Sequence, residues 1–292
     1  MASSGNLRSI VSMLLAVAFF ALMDTLMKLL VARYPAFQVA SLRGLSSLPL
    51  VLVYVAWLGE GRRVWQVRWP LHLLRGVVTV LMLSLFAWGI RHLPLAEAYT
   101  IFFIAPLLIT VLSIPVLKEH VPAAHWAAIV AGLVGVLVAL RPNQDNFLSL
   151  GALAVLAAAC CYAVSALAGR LLTRTDSSAS LVLWTTAALG IGATALAWPN
   201  WQPLHGRDWP LILGLAVTGF LGQVAITDAF RHGQASVVAP FEYTALAWGI
   251  GLDWLLWQTL PDGTTLVGGA IIVAAGVYLV RHERQPAANL PP

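Results

Sequence analysis

Residues 19–30 read FFALMDTLMKLL, so an acid, Asp24, and a base, Lys28, stand four apart in an otherwise apolar run. On an α-helix residues four apart share a face and can pair, and Phe20 falls on that face too. Arg43 brings a second cation to a second apolar run. A further pattern is carried by Glu242, Leu246, Gly249 and Asp253, which recur at i, i+4, i+7 and i+11 and so line one helical face. Its two acids are about 16 Å apart along the axis. Carboxylates in such places bind protons or cations, and guanidinium and ammonium groups hold carboxylates. A charge near the centre of a bilayer costs about 2.5–3.5 kcal/mol on insertion scales, so these side chains are expected to face the protein interior. Two roles fit them: a self-neutralising pair that locks helices together, or a site for substrate and protons.

Softer candidates surround them. Tyr99 and Phe103 share a helical face, Tyr162 lies in another apolar run and Tyr243 adjoins Glu242. Each ring could stack on a planar substrate or only pack. Gln223 and Thr227 also share a face and could hydrogen-bond a substrate or join two helices. Arg75, Glu97, Glu119 and Asp228 fall near the ends of apolar runs, where interfacial anchoring is the expected role. Pro106 and Pro240 remove backbone hydrogen bonds and can kink helices beside a cavity.

The elements that must position these residues are membrane spans. The chain has 292 residues, 60% hydrophobic and only 10% charged, with a mean hydropathy of +0.83. Soluble domains are nearer half apolar and a quarter charged. The excess runs through the whole chain, which predicts an all-α integral membrane protein. Ten apolar segments stand near 9–32, 36–58, 70–90, 95–117, 123–140, 148–171, 179–198, 210–230, 236–257 and 264–280. Alternating strands of the outer-membrane type are absent. The net charge of +5 comes from scattered loop residues, not from a basic run of the kind nucleic acid requires. Cys160 and Cys161 are adjacent and read as packing residues. With the N-terminus in the cytoplasm, eleven of the seventeen Lys and Arg residues fall inside and four outside, while Lys28 and Arg43 lie within the membrane. This bias sets the orientation, with both termini cytoplasmic.

The chain also repeats. HLPLAEAYTI (92–101) aligns with RHGQASVVAP (231–240), and KEHVP (118–122) with WQTLP (257–261) at the same offset. GVLVALR (135–141) resembles GVYLVR (276–281), and FALMDTLMK (20–28) aligns loosely with YAVSALAGR (162–170). Five spans per half is an odd number, so the second half enters the membrane from the opposite side. Ten transmembrane helices as two inverted five-helix repeats, residues 9–141 and 148–281 with a polar tail at 282–292, is a transporter architecture with its site near the midplane.

With these motifs on the page, the chain resembles the drug/metabolite transporter superfamily, EamA family. SLRGLSSLPL (41–50), HLLRGVVTVLML (72–83), LPLAEAYTIFFIAPLLITVLSIPVLKEHVP (93–122) and the stretch 239–276 carry the resemblance. Glu119 matches the family's acid before the fifth span, and Gln258 replaces it in the second half. The resemblance implies an alternating-access carrier in the bacterial inner membrane, with no cofactor and no ATP hydrolysis. It implies a cavity lined by the first, third, fourth, sixth, eighth and ninth spans. The implied cargo is a small organic metabolite of the S-adenosylmethionine or riboflavin kind, with export of amino acids or amphipathic drugs as the alternative. Protons and a second copy of the chain are further candidate partners besides substrate and lipid. GIGLD (249–253) is one residue too long for the Gly-x-Gly-Asp of intramembrane aspartyl proteases, and no enzyme is expected.

Overall fold

The computed structural model describes residues 2–89, 101–140, 149–257 and 263–284, and the helices dominate them. In chain order they are α1 (Ala2–Val31), α2 (Ala36–Trp57), α3 (Trp69–Gly89), α4 (Ala105–Leu117), α5 (Ala123–Leu140), α6 (Leu150–Leu172), α7 (Ser178–Ala197), α8 (Trp209–His232), α9 (Thr244–Trp257) and α10 (Gly263–Arg284). Among the described residues, six of these segments are long and apolar enough to cross a membrane: those containing α1, α2, α3, α6, α7 and α8. α4, α5 and α10 carry shorter apolar stretches.

Local chemistry sets several boundaries. Ser149 and Ser177 cap α6 and α7, accepting the N–H of Ala152 and Ser180 respectively at 3.2 Å, which satisfies donors that a helix start leaves unpaired. Lys118 adopts a left-handed conformation, φ 56°, and ends α4. The ninth apolar segment departs from expectation. It opens with a short helical turn, Ala235–Val238, and passes through a 3-10 run, Ala239–Tyr243, before α9. Pro240 has no N–H to donate, and the 3-10 run turns every 3.0 residues rather than 3.6. Glu242 therefore sits in the 3-10 run while Leu246 lies on α9, so a single helical pitch does not connect the two.

Outward-facing side chains are strongly apolar: Leu52, Val53, Leu73, Ile191 and Leu213 are all exposed. Such a surface is costly in water and natural against lipid. Inside, Ile10, Met13, Ile109, Phe230 and Phe241 belong to one buried cluster that joins α1, α4, α8 and the 3-10 run.

The extensive helix pairings are α1 with α8, α3 with α6, α2 with α7, and α5 with α10. Exchanging each helix with the one five places away maps α1–α8 onto α6–α3. The same exchange maps α2–α7 and α5–α10 onto themselves. The secondary pairings α2–α8 and α3–α7, and α4–α6 and α1–α9, are exchanged likewise. The α2–α7 crossing is close because two glycines meet there: a Cβ on Gly44 would stand 2.4 Å from Gly190 Cα. A side chain at either place would force the backbones apart.

Candidate functional site

Asp24 lies seven residues before the end of α1, and Arg43 seven residues after the start of α2. The turn between these helices therefore brings acid and base to similar depth. They interact electrostatically across the α1–α2 corner. The Asp24 side chain is exposed and Arg43 is half-buried. The Arg43 guanidinium sits 5.5 Å from the centroid of the Phe20 ring, a cation–π distance. Phe20 in turn packs on Gly222 of α8, where a Cβ would fall 2.6 Å from its ring. Thus α1, α2 and α8 converge on one charged group and one aromatic face.

Midway along α6, Tyr162 donates its hydroxyl hydrogen to Glu242 Oε1 at 3.0 Å. Its ring lies 5.6 Å from that of Phe102. Tyr162 is also within electrostatic reach of two guanidiniums, Arg43 and Arg75. The broken ninth segment explains how Glu242 arrives there: the 3-10 run turns it towards α6. Arg75 was expected at the interface. Instead it is 8% exposed, and its guanidinium packs on Gly169 of α6, 3.2 Å from where a Cβ would be. Among the described residues, neither Nε nor Nη1 has a hydrogen-bond partner. Sequence reasoning missed Arg75 because it sits only six residues past the start of α3. The available signal was Gly169, the small residue that leaves room for it.

The remaining candidates divide. Phe103 and Tyr243 pack together, ring centroids 6.0 Å apart, in an apolar cluster with Val136 and Ile272. Gln223 is half-buried on α8, and its carbonyl accepts the Thr227 hydroxyl at 2.7 Å, so that hydroxyl is spent on backbone. Tyr99 and Glu97 lie outside the described residues, as do the side chains of Lys28 and Asp253.

Both ends of the bundle are tied across the two halves. At one end Tyr34 donates to Asp208 at 2.7 Å, Arg33 pairs with the same carboxylate, and the Gln38 side chain bonds Gln202 N and O at 2.9 and 2.6 Å. At the other end Glu119 accepts the N–H groups of Ala235 and Ser236 at 3.1 and 3.3 Å and pairs with Arg170 at 3.7 Å. Asp228 binds Arg8 at 2.6 Å and Ser12 at 2.7 Å. Glu119 and Asp228 are thus ties between helices rather than simple anchors. Asp176, in the α6–α7 turn, accepts from the Arg68 N–H at 3.0 Å and Thr175 at 2.7 Å and meets His72 Nε2 at 2.9 Å. Burial alone would raise its carboxyl, but these hydrogen bonds prevail and hold it below the usual carboxylate range.

Known proteins fit this architecture. The model of the EamA-like transporter family matches residues 7–141 and again 149–281. The chain is 30% identical to the pseudopaline exporter of Pseudomonas aeruginosa over 266 residues, covering 91% of this chain and 93% of that one. It is 30% identical to a riboflavin transporter of Vibrio cholerae over 253 residues, 85% and 84% of the two chains. It is 24% identical to an S-adenosylmethionine uptake transporter of Rickettsia felis over 263 residues, 90% and 88%. A crystal structure at 19% identity superposes with a TM-score of 0.84, covering 98% of this chain and all of the other, and so shares its fold. A double family match over nearly the whole chain, on a helical body with a lipid-suited surface, identifies it: the chain belongs to the EamA-like transporter family and is a multi-pass membrane transporter.

Proposed function

We propose that this transporter is a secondary-active carrier of a small zwitterionic metabolite with S-adenosylmethionine-like chemistry. All ten helical segments would span the bilayer, as two inverted repeats with both termini cytoplasmic in a bacterial inner membrane. The symmetric helix pairing supports that arrangement. The observation that carries the reading is Asp24 within electrostatic reach of Arg43, with Phe20 under the guanidinium and the Tyr162–Glu242 pair within reach of the same guanidinium. Acid, base and aromatic face in one place match an ammonium, a carboxylate and a planar base in one ligand. Asp24 and Arg43 then exchange their mutual attraction for the substrate's ammonium and carboxylate, so binding leaves neither of these two charges unmatched. The ties at the two ends of the bundle break alternately as the halves rock around the site. Glu242 is the candidate for a coupling proton, since a carboxyl at membrane depth with one hydroxyl partner is suited to proton relay. Export is the second reading, favoured by the 30% identity to the pseudopaline exporter.

The test is uptake of labelled S-adenosylmethionine into proteoliposomes, with and without a proton gradient, challenged by unlabelled riboflavin and amino acids. Saturable uptake that Asp24→Asn and Glu242→Gln abolish in well-expressed protein is the expected result. No uptake in either orientation would refute the zwitterion reading.

A further inference from the structure

Arg75 has an expensive position. A buried guanidinium with unpaired N–H groups loses hydration without regaining hydrogen bonds. Yet Arg75 is 8% exposed, with Nε and Nη1 both unpartnered among the described residues, and α6 presents Gly169 where a side chain would crowd it. Arg is a fixed fork of donors suited to bidentate carboxylate recognition.

Its level in the bundle gives this a direction. Arg75 is six residues past the start of α3, and Gly169 lies near the end of α6. Arg68 and His72 meet Asp176 at that same end of the bundle. Glu242 also stands towards this end, seven residues after Ala235, whose N–H is held by Glu119. Asp24 and Arg43 lie towards the opposite end, where Tyr34 meets Asp208. Tyr162 lies midway along α6, seven residues before the Gly169 on which Arg75 packs, and holds Glu242 on its hydroxyl. Asp24 with Arg43 thus lies on one side of this tyrosine and Arg75 on the other.

We infer that Arg75 is the second carboxylate station of the transport path, receiving the substrate's carboxylate after it leaves Arg43. This rests on the reading of the chain as a carrier of a zwitterion. A substrate moving past Tyr162 would have its carboxylate matched at both stations, and the Arg75 guanidinium, with Nε and Nη1 unpartnered among the described residues, is the group it meets on the far side.

The experiment compares S-adenosylmethionine with its decarboxylated form, which keeps the amine and the base but lacks the carboxylate. Uptake of the first, and its inhibition by the second, are measured for the wild type, Arg75→Gln and Arg75→Lys. The expected result is a loss of about tenfold or more in uptake for Arg75→Gln, with the inhibition constant of the decarboxylated form changed less than about twofold. Arg75→Lys falls between, because it keeps the charge and loses the fork. The unfolding midpoint of Arg75→Gln should not fall below wild type, since an unpaired charge has been removed. Arg75→Gln affecting both compounds alike, or neither, would overturn the assignment, as would a lowered midpoint with unchanged uptake per folded molecule. If the wild type neither transports the first compound nor binds the second, the zwitterion reading fails and this inference falls with it.

Discussion

Gly222 decides where the aromatic face of the site stands. An added methyl there would sit 2.6 and 2.7 Å from two ring atoms of Phe20, where ordinary contact begins near 3.4 Å. The ring must recede by about 0.8 Å, the difference between those distances. Overpacking of this kind costs about 1–3 kcal/mol, and the lower figure applies because the far end of a side chain, not a backbone, gives way. The displaced ring also leaves its place 5.5 Å from the Arg43 guanidinium, an interaction worth about 0.5–2 kcal/mol. Gly222→Ala should therefore raise the substrate concentration for half-maximal uptake about fivefold, as roughly 1 kcal/mol requires. Expression should stay near normal. The decisive measurement is a double-mutant cycle. With Phe20→Ala already in place the methyl has room, so its cost should shrink by about 1 kcal/mol. Gly251→Ala is the control, since among the described residues nothing lies within 4 Å of the added methyl. If Gly222→Ala costs the same with or without Phe20, the ring is not what the methyl meets and the proposed geometry of the site is wrong.

Two other outcomes follow from the ties between helices. Truncating Glu119 to Ala removes the acceptor for two backbone N–H groups and leaves Arg170 only its bonds to the Phe230 and Arg231 carbonyls; breaking a buried pair in this way costs about 3 kcal/mol, to be read from chemical unfolding in detergent. Glu119→Gln should recover part of it by keeping an acceptor oxygen. Because the Asp176 carboxyl is held below its ordinary value, its stabilisation is present above the unfolded value of about 3.9 and is lost as pH falls through the lower folded value. Thermal melting between pH 6 and pH 3 should thus steepen in the wild type and flatten in Asp176→Asn. The groups around that carboxyl are His72, Thr175, the Arg68 N–H and Arg231, which donates to the Asp176 carbonyl. Equal slopes in the two proteins would show that these contacts do not favour the charged form.

How far the site could be read from sequence varies by residue. Asp24 and Glu242 stood out because a charge in an apolar run has few neighbours to hide among. Arg43 was visible for the same reason, but its approach to Asp24 depends on a turn between helices, which spacing does not specify. Pairing Tyr162 with Glu242 required knowing that the chain shifts to a 3-10 run at Pro240. Periodicity assumes one helical pitch throughout, so it did not show that Glu242 falls in a 3-10 run rather than in the α-helix that follows. Arg75 was misjudged on position alone. A guanidinium two turns from a helix start can anchor at the interface or turn inward, and only the partner helix, through Gly169, decides which. Glu119 and Asp228 likewise were placed at the correct ends, but partners such as Ala235 and Arg8 lie 116 and 220 residues away in sequence.

The pairing of α1 with α8, α3 with α6 and α2 with α7 has a consequence for how the protein is made. The first five helices leave the ribosome before any of these partners exist, so their polar and glycine-lined faces meet lipid or insertion machinery first. Assembly must wait for the eighth helix to close on the first. Two separately synthesised halves should each be short-lived and should survive only when produced together.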